Sequence, residues 1–154
     1  MKTANLEVGV ANHFDCRRNL IIPNVSWGFG LNYEADIIVV RPSGYAIEVE
    51  IKNSERDIKA DKKKKKWRNG KWPCRYFKEF WMAVPEKLEK SKYIPSHAGI
   101  LRIYKYRNKY YGKVIKKPEI NNNSVKLNKN QIEKLKRLLC LRIWKIKKDE
   151  SQKG

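Results

Sequence analysis

Two carboxylates and one lysine in the first third of the sequence have the residue types of a hydrolytic site: Asp36, Glu50 and Lys52. Carboxylate oxygens are the ligands that a hard divalent cation such as Mg²⁺ prefers, and a bound cation shields a phosphate and lowers the pKa of water. A neighbouring ammonium can orient that water or stabilise developing charge. We therefore predict that these three residues hydrolyse a phosphodiester. Asp36 and Glu50 would bind Mg²⁺, for which Mn²⁺ can substitute.

A β-hairpin is predicted to position these three residues. It comprises an apolar strand, a Pro-Ser-Gly turn and a second strand of alternating pattern, over residues 37–40, 41–44 and 46–52. Because strand side chains alternate between the two faces of a sheet, Glu48, Glu50 and Lys52 point the same way. The hairpin can bring Asp36 beside them, so two neighbouring strands supply the whole site.

The remaining sequence predicts a mixed β-sheet flanked by helices. Ser54 and Asp57, three residues apart, form a capping box that starts a helix directly after the hairpin. Apolar patterning predicts four more strands and two more helices. The strands lie at residues 20–25, 79–84, 99–106 and 110–115, and the helices at 2–14 and 128–146. The element order is then α-β-β-β-α-β-β-β-α, an α/β fold with an added C-terminal helix.

The length of 154 residues fits one compact domain. We assign residues 1–146 to this domain and residues 147–154 to a charged, flexible tail. No window is apolar for long enough to cross a bilayer or to resemble a secretory signal, and three widely spaced cysteines fit a reducing compartment. The expected location is the cytoplasm, as a nucleoid-associated protein or a phage-encoded protein in a bacterial host.

The formal charge of +20, from 36 Lys and Arg against 16 Asp and Glu, favours a polyanion as partner. Cations that neutralise phosphates bind with little dependence on sequence, whereas a membrane surface requires an amphipathic helix with an exposed apolar face. DNA is therefore the predicted partner, with RNA left open and no membrane expected. A lysine-rich genome would raise the charge as well, and this alternative stays open.

The densest cationic run lies at the end of the predicted second helix. Its phosphate-contacting residues are predicted to be Lys62, Lys63, Lys65, Lys66 and Arg68. Trp67 and Trp72 beside them can stack on bases. The alternative is a solvated helix end with its tryptophans packed inward, which explains the same residues.

The hairpin and the segments after it resemble one nuclease family. The matching segments are Glu34-Ala-Asp36, Gly44-Tyr-Ala-Ile-Glu-Val-Glu50-Ile-Lys52-Asn-Ser54-Glu-Arg-Asp57-Ile-Lys-Ala-Asp61-Lys-Lys63, Phe80-Trp-Met-Ala-Val-Pro85, Ile94-Pro95 and Ala98-Gly-Ile-Leu101. Together they resemble the MmcB-like branch of the PD-(D/E)XK nucleases, which are proposed DNA-repair endonucleases. The resemblance implies a restriction-endonuclease-like core in which Asp36 and Glu50 bind metal and Lys52 is the catalytic lysine. The segment of residues 64–75 is longer than the corresponding segment of that family, and the helix after Lys126 lies outside the resemblance.

Four further acidic residues have two interpretations each. Many folds of this kind contribute an acidic residue from the first helix, which makes Glu7 a predicted third metal ligand; the alternative is an exposed helix carboxylate. Glu34 and Glu48 each lie two residues from a predicted ligand on the same strand face, so either can bind a second cation or pair with the lysine. Asp57 caps its helix or, because the resemblance pairs it with Asp61 in a recurring pattern, supports the catalytic lysine from beside the site.

The predicted function is a Mg²⁺-dependent DNA nuclease that acts in repair, recombination or the processing of phage and mobile-element DNA. One alternative is a noncatalytic, basic nucleic-acid-binding protein that retains the nuclease fold. Another is an RNA-binding or ribosome-associated basic protein, which would explain the charge but leave the acidic cluster unexplained. The sequence leaves the oligomeric state open, with a dimer as one option.

Overall fold

The computed structural model describes residues 1–26, 28–29, 31, 33–61, 72 and 74–154. Within these residues the chain forms an α/β fold, in which three α-helices flank a six-stranded mixed sheet. The helices are α1 (Thr3–Phe14), α2 (Glu55–Asp61) and α3 (Lys129–Ser151). The strands are β1 (Leu20–Val25), β2 (Ala35–Val40), β3 (Ala46–Ile51), β4 (Phe77–Pro85), β5 (Gly99–Tyr106) and β6 (Lys109–Lys116). The predicted fold class and element order are confirmed.

The strands lie side by side in the order in which they occur along the chain, from β1 to β6. The β1–β2, β2–β3 and β5–β6 pairs are antiparallel, whereas β4 runs parallel to both β3 and β5. The C-terminal ends of β3, β4 and β5 therefore meet at one edge of the sheet. Pro23 lies in the outermost strand β1, as predicted, where a missing N–H is tolerated.

The predicted hairpin of β2 and β3 is confirmed, with Ile37 paired to Val49 in its register. Its turn is closed by two backbone hydrogen bonds, from Arg41 N–H to the Tyr45 carbonyl (2.9 Å) and from Gly44 N–H to the Arg41 carbonyl (2.8 Å). Gly44 has a φ of +91°, which side chains disfavour, so the turn requires glycine at this position. This turn fixes which residues of the two strands face each other.

One face of the sheet, called here the α1 face, is apolar and covered by α1. Its buried side chains come from α1 and from alternate strand positions: Leu6, Val10, Phe14, Ile37, Val39, Ile47, Val49, Ile51, Trp81, Ala83, Leu101 and Ile103. At Gly9 of α1 a Cβ atom would come within 2.5 Å of the Ile103 side chain. The helix therefore lies directly against the strands.

The opposite face, called here the α2–α3 face, carries two separate apolar clusters. α3 covers the first cluster, which includes Phe77 and Leu135. α2 covers the second, called here the α2 cluster, which includes Ile58 and Met82. Strand β3 lies between them, and its charged alternate positions point to this face. Polar chemistry is thus placed between two apolar regions.

Helix α3 begins with the predicted capping box, in which Asn128 and Gln131 each accept a hydrogen bond from the other's backbone N–H. The helix continues to Ser151, so the predicted helix end at Ile146 is wrong. The added segment is Lys-Lys-Asp-Glu-Ser, which lacks a glycine or proline that would end a helix. Among the described residues, no helix combines the length and apolar character needed to cross a membrane.

The first prediction concerns how α3 is attached. Leu135 is fully buried against the sheet, whereas Leu141 on the same helix is 62% exposed. We expect Leu135→Ala to lower the free energy of unfolding by about 2–5 kcal/mol, because it removes buried apolar contacts and leaves a cavity. Leu141→Ala is the matched control and should change it by less than about 0.5 kcal/mol. Urea denaturation followed by circular dichroism measures both, and equal effects would contradict the described docking.

Candidate active site

Asp36 and Glu50 face each other across the β2–β3 hairpin. The ladder of paired residues ends with Ile37 and Val49, and the same register continued by one residue sets Asp36 opposite Glu50. Residues that are directly opposite in an antiparallel ladder share a face, with Cβ atoms about 5 Å apart. Asp36 Oδ2 also accepts a hydrogen bond from the backbone N–H of Ile51 at 2.8 Å, which fixes its side chain at the start of β2. The hairpin therefore brings the two predicted metal ligands together.

Lys52 is buried between two carboxylates. Its ammonium nitrogen lies 3.0 Å from Glu50 Oε1 and 2.7 Å from Asp61 Oδ2, and the three side chains are at most 8% exposed. Its backbone N–H donates to the Ala83 carbonyl at 3.1 Å, which continues the pairing of β3 with β4. Burial lowers the pKa of Lys52, but the charges and hydrogen bonds of Glu50 and Asp61 outweigh it, so the pKa lies above lysine's ordinary value. Lys52 is therefore a cation at neutral pH.

Asp61 reaches this cluster from α2; the resemblance pairs it with Asp57 and leaves a supporting role beside Lys52 open, which the structure gives to Asp61 rather than to Asp57. Ser54 Oγ accepts the backbone N–H of Asp57 at 3.2 Å, which caps the helix as predicted. Asp57 itself is exposed. Asp61 is one turn further on and three residues after the fully buried Ile58, so both lie on the helix face that is turned toward the sheet. The spacing of Asp61 from Ile58 was the available signal for its inward position.

Glu48 lies on the same strand face, buried to 1% exposure. Its Oε2 accepts a hydrogen bond of 2.8 Å from the hydroxyl of Tyr33. Burial, and then the nearby Glu48 carboxylate, raise the pKa of the Tyr33 phenol, which keeps it a donor. Sequence reasoning did not single out Tyr33, because its partner lies on a strand fifteen residues away in the chain. Glu34, by contrast, is exposed and accepts a hydrogen bond from Asn24 at 3.0 Å.

Glu7 is not brought to this site. It lies in α1 and lines a cavity of about 230 Å³ together with Ile21, Pro23 and Ile37. Ile37 belongs to the α1 face, whereas the alternation of β2 turns Asp36 to the α2–α3 face. The proposed role of Glu7 in metal binding therefore has no geometric support from its placement, and it stays a prediction.

The predicted phosphate contacts Lys62, Lys63, Lys65, Lys66 and Arg68 lie outside the described residues, as does Trp67. Trp72 is described and is half-buried against the α2 cluster, where its ring meets that of His97 edge-on at 5.4 Å. This contact matches the inward-packed alternative for Trp72.

The donor set suits a hard cation. Two carboxylates from adjacent strands provide oxygen ligands, and Mg²⁺ is commonly held by one or two carboxylates, with water and substrate phosphate in its other positions. Among the described residues, no three His, Cys, Asp or Glu side chains converge as a metal-binding group. The residues therefore fit a cation site in which Asp36 and Glu50 would supply two ligands, and water and substrate would fill the remaining positions.

No protein-family model matches the chain, and no curated protein matches it in sequence. The structure is similar to that of SPO1766, a protein of unknown function from Silicibacter pomeroyi, with a TM-score of 0.70 and 19% sequence identity. The similarity covers 97% of this chain and 94% of that chain. At this identity it supports the fold alone, including α3 as part of it.

The second prediction concerns the buried ammonium. Lys52→Met would leave the Glu50 and Asp61 carboxylates without their cation, and breaking a buried pair in this way costs about 3–5 kcal/mol of unfolding free energy. Because the pKa of Lys52 is raised in the folded state, its contribution is fully present below about pH 10.4 and is lost as the pH rises through the folded-state pKa. The deficit of the variant should therefore shrink at strongly alkaline pH.

Denaturation of both proteins at pH 7 and at higher pH measures this deficit. Arg18→Met is the control, because Arg18 forms an ion pair with Asp15 at 3.7 Å while 84% exposed, and such pairs contribute little. A Lys52→Met variant as stable as the parent at pH 7 would contradict the buried ion cluster.

Proposed function

We propose that this protein is a metal-dependent nuclease that hydrolyses phosphodiester bonds in DNA. One observation carries the proposal: Asp36 and Glu50 face each other across a hairpin, while Lys52 is held beside Glu50 by a third carboxylate. An ordinary ion pair on the protein surface would stay exposed to solvent, whereas the side chains of Glu50, Lys52 and Asp61 are buried. The resemblance to the PD-(D/E)XK nucleases, over about residues 30–105, implies catalytic roles for the same three residues.

Each residue has a separate role in the proposed reaction. A divalent cation at Asp36 and Glu50 would shield the phosphate and activate water. Lys52 is a fixed donor and cation, since both of its neighbours favour its protonated form, and this suits it to orient the attacking water or to stabilise charge on the phosphate rather than to act as a base. Asp61 positions the ammonium from α2, which is a supporting role without contact to the reacting atoms.

The net charge of +20 supports a polyanionic substrate. DNA is favoured over RNA because the resembling family is assigned to DNA repair. Recombination and the processing of phage or mobile-element DNA use the same bond cleavage and are included in the proposal. Mg²⁺ is the expected cation, with Mn²⁺ as a substitute.

The third prediction tests the two carboxylates. Asp36→Asn and Glu50→Gln should each abolish cleavage in the presence of Mg²⁺ or Mn²⁺, because each removes a charged oxygen ligand that aqueous cation cannot replace with equal positioning. DNA binding should persist. Cleavage of labelled single-stranded, duplex and branched DNA, and of RNA, with EDTA as the blank, is the measurement. Glu34→Gln is the matched control, an exposed carboxylate two residues from Asp36, and it should cleave normally.

Two outcomes would count against this assignment. Normal cleavage by either site variant would exclude the proposed ligand role. A parent protein that binds every DNA but cleaves none, with any metal, would identify a noncatalytic nucleic-acid-binding protein instead.

The fourth prediction separates catalysis from binding at Lys52. Lys52→Met should lose at least about a hundredfold in the single-turnover rate at saturating DNA, with little change in the dissociation constant, because the ammonium acts on the transition state. The assay is run at a temperature at which circular dichroism shows the variant folded. Weaker binding with a normal saturating rate would instead identify Lys52 as a simple phosphate contact.

Asp61→Asn extends the same assay to the positioning residue. It should lower the rate by a smaller factor, about tenfold, because Lys52 keeps Glu50 as a partner. Asp57→Asn is its matched control, with the same substitution at an exposed position of the same helix, and it should leave the rate unchanged.

A further inference from the structure

A second surface with nucleic-acid chemistry lies on the hairpin of β5 and β6. Its two-residue turn places Arg107 and Asn108 at φ values of 43° and 61°, the left-handed pair that a tight hairpin turn uses. The register pairs Tyr104 with Tyr111 and Tyr106 with Lys109. Residues paired in this way share a face, so the hairpin presents an ordered row of side chains rather than a flexible loop.

The row of side chains is aromatic and open to solvent. The rings of Tyr104 and Tyr111 lie 6.0 Å apart with an interplanar angle of 36°, and Tyr104 and Tyr106 are 42% and 56% exposed. The guanidinium of Arg107 lies 5.4 Å from the centre of the Tyr106 ring. Exposed aromatic rings supported by strands are the surface on which unpaired bases stack. We call Tyr104, Tyr106 and Tyr111 the tyrosine platform.

The charge around the platform is positive apart from Glu86 and Glu89, which form ion pairs with Arg102. Residues 102–117 contain seven Lys and Arg and no Asp or Glu: Arg102, Lys105, Arg107, Lys109, Lys113, Lys116 and Lys117. Lys109 and Lys113 lie on β6 two residues before and two residues after Tyr111, so all three side chains point to the same face. Lysines on an edge strand also discourage unwanted strand pairing, so they alone would not indicate a ligand. The exposed Tyr104 and Tyr106 on the neighbouring strand do indicate one, with the half-buried Tyr111 beside them.

The tyrosine platform and the candidate active site share one face and one edge of the sheet. The registers align Glu50 with Met82 and Met82 with Ile100, so β5 lies two strands from β3, about 10 Å away. Ile100 belongs to the α2 cluster, and Tyr104, four residues later in the same strand, points to the same face. Tyr104 lies about 13 Å further along β5, so the two places are about 16 Å apart with the cluster under α2 between them. A strand of several nucleotides is long enough to reach from one to the other around that cluster.

We propose that the tyrosine platform binds single-stranded nucleic acid, with bases stacked on Tyr104 and Tyr111 and phosphates held by Lys109 and Lys113. Single strands are required because a duplex hides the faces of its bases. The proposal deepens the proposed nuclease function by naming the form of the substrate, and it rests on that function for its link to cleavage. Binding itself requires neither metal nor catalysis.

Fluorescence anisotropy in EDTA tests the proposal with labelled dT20, the matched RNA U20 and a 20-base-pair duplex. The parent should bind the single strands more tightly than the duplex. Tyr104→Ala/Tyr111→Ala should weaken dT20 binding by about tenfold or more, since the variant has no aromatic ring on which a base can stack. Tyr104→Phe/Tyr111→Phe keeps the rings and should bind like the parent. Trp144→Ala is the control for an exposed aromatic residue elsewhere, 60% exposed on α3, and should change nothing.

A salt titration tests the lysines independently of any effect of the tyrosine variants on folding. Lys109→Gln/Lys113→Gln should reduce the slope of log affinity against log salt by about 1.4, because each phosphate that the protein no longer neutralises lowers the slope by about 0.7 on a single strand. Lys147→Gln/Lys148→Gln makes the same change in net charge on α3 and should leave the slope nearly unchanged.

Four results would overturn the proposal: no binding of dT20 or U20 by the parent, tighter binding of the duplex, equal affinity of the Tyr→Ala variant and the parent, or sedimentation showing that the Tyr→Ala change dissolves a dimer. The last would assign the face to a second copy of the chain. Asp36→Asn separates this test from that of the nuclease function. If it binds dT20 through the platform while the parent cleaves nothing, the nuclease proposal fails and the platform stands.

Discussion

The ammonium of Lys52, buried between Glu50 and Asp61, is the interaction on which the candidate site depends. Removing a charge from water costs several kcal/mol for each ion, and the cost is recovered when opposite charges meet in good geometry. The geometry here needs three elements at once. β3 supplies Glu50 and Lys52, α2 supplies Asp61, and the backbone of β4 holds Lys52 in line through Ala83. A shift of any one element would leave a buried charge without compensation, so the cluster selects one packing of α2 against the sheet.

This requirement explains why the α2–α3 face is divided. A continuous apolar cover would bury the charges of β3 among groups that cannot pair with them. Instead, α3 and α2 each cover a separate apolar cluster, and the polar column between them is paired internally, with Tyr33 on Glu48 and Asp61 on Lys52. α1 covers the other face, whose buried side chains are apolar apart from Glu79, which accepts a hydrogen bond from Trp81 at 2.8 Å. The α2–α3 face thus carries two apolar clusters and the polar column between them.

How much can be foreseen from the sequence depends on the range of the interaction. The period-two pattern of β3 and the turn at Gly44 are local, and they suffice to place Asp36 opposite Glu50. The order of elements follows from similar patterns. Tyr33 and Asp61 cannot be assigned in the same way, because their partners are set by how separate elements pack. The extension of α3 to Ser151 differs from the prediction because a run of charge suggests a tail, although Lys, Asp and Glu are compatible with a helix. The β5–β6 hairpin is recognisable as strands, but its exposed face depends on the register, which the sequence alone leaves open.

The order of strands has a consequence for how the chain is synthesised. Each described strand pairs with the strand made immediately before it, so the sheet can grow outward during translation. Contacts between neighbouring elements close short loops and carry a small entropic cost, which favours early pairing. The hairpin with Asp36 and Glu50 can form while β4 to β6 are still in the ribosome. α3 is made after all six strands, and until it emerges, the cluster around Phe77 on the α2–α3 face has no helix over it. During that interval chaperones could bind this exposed apolar cluster on the nascent chain, and the packing of α3 over it would prevent that binding.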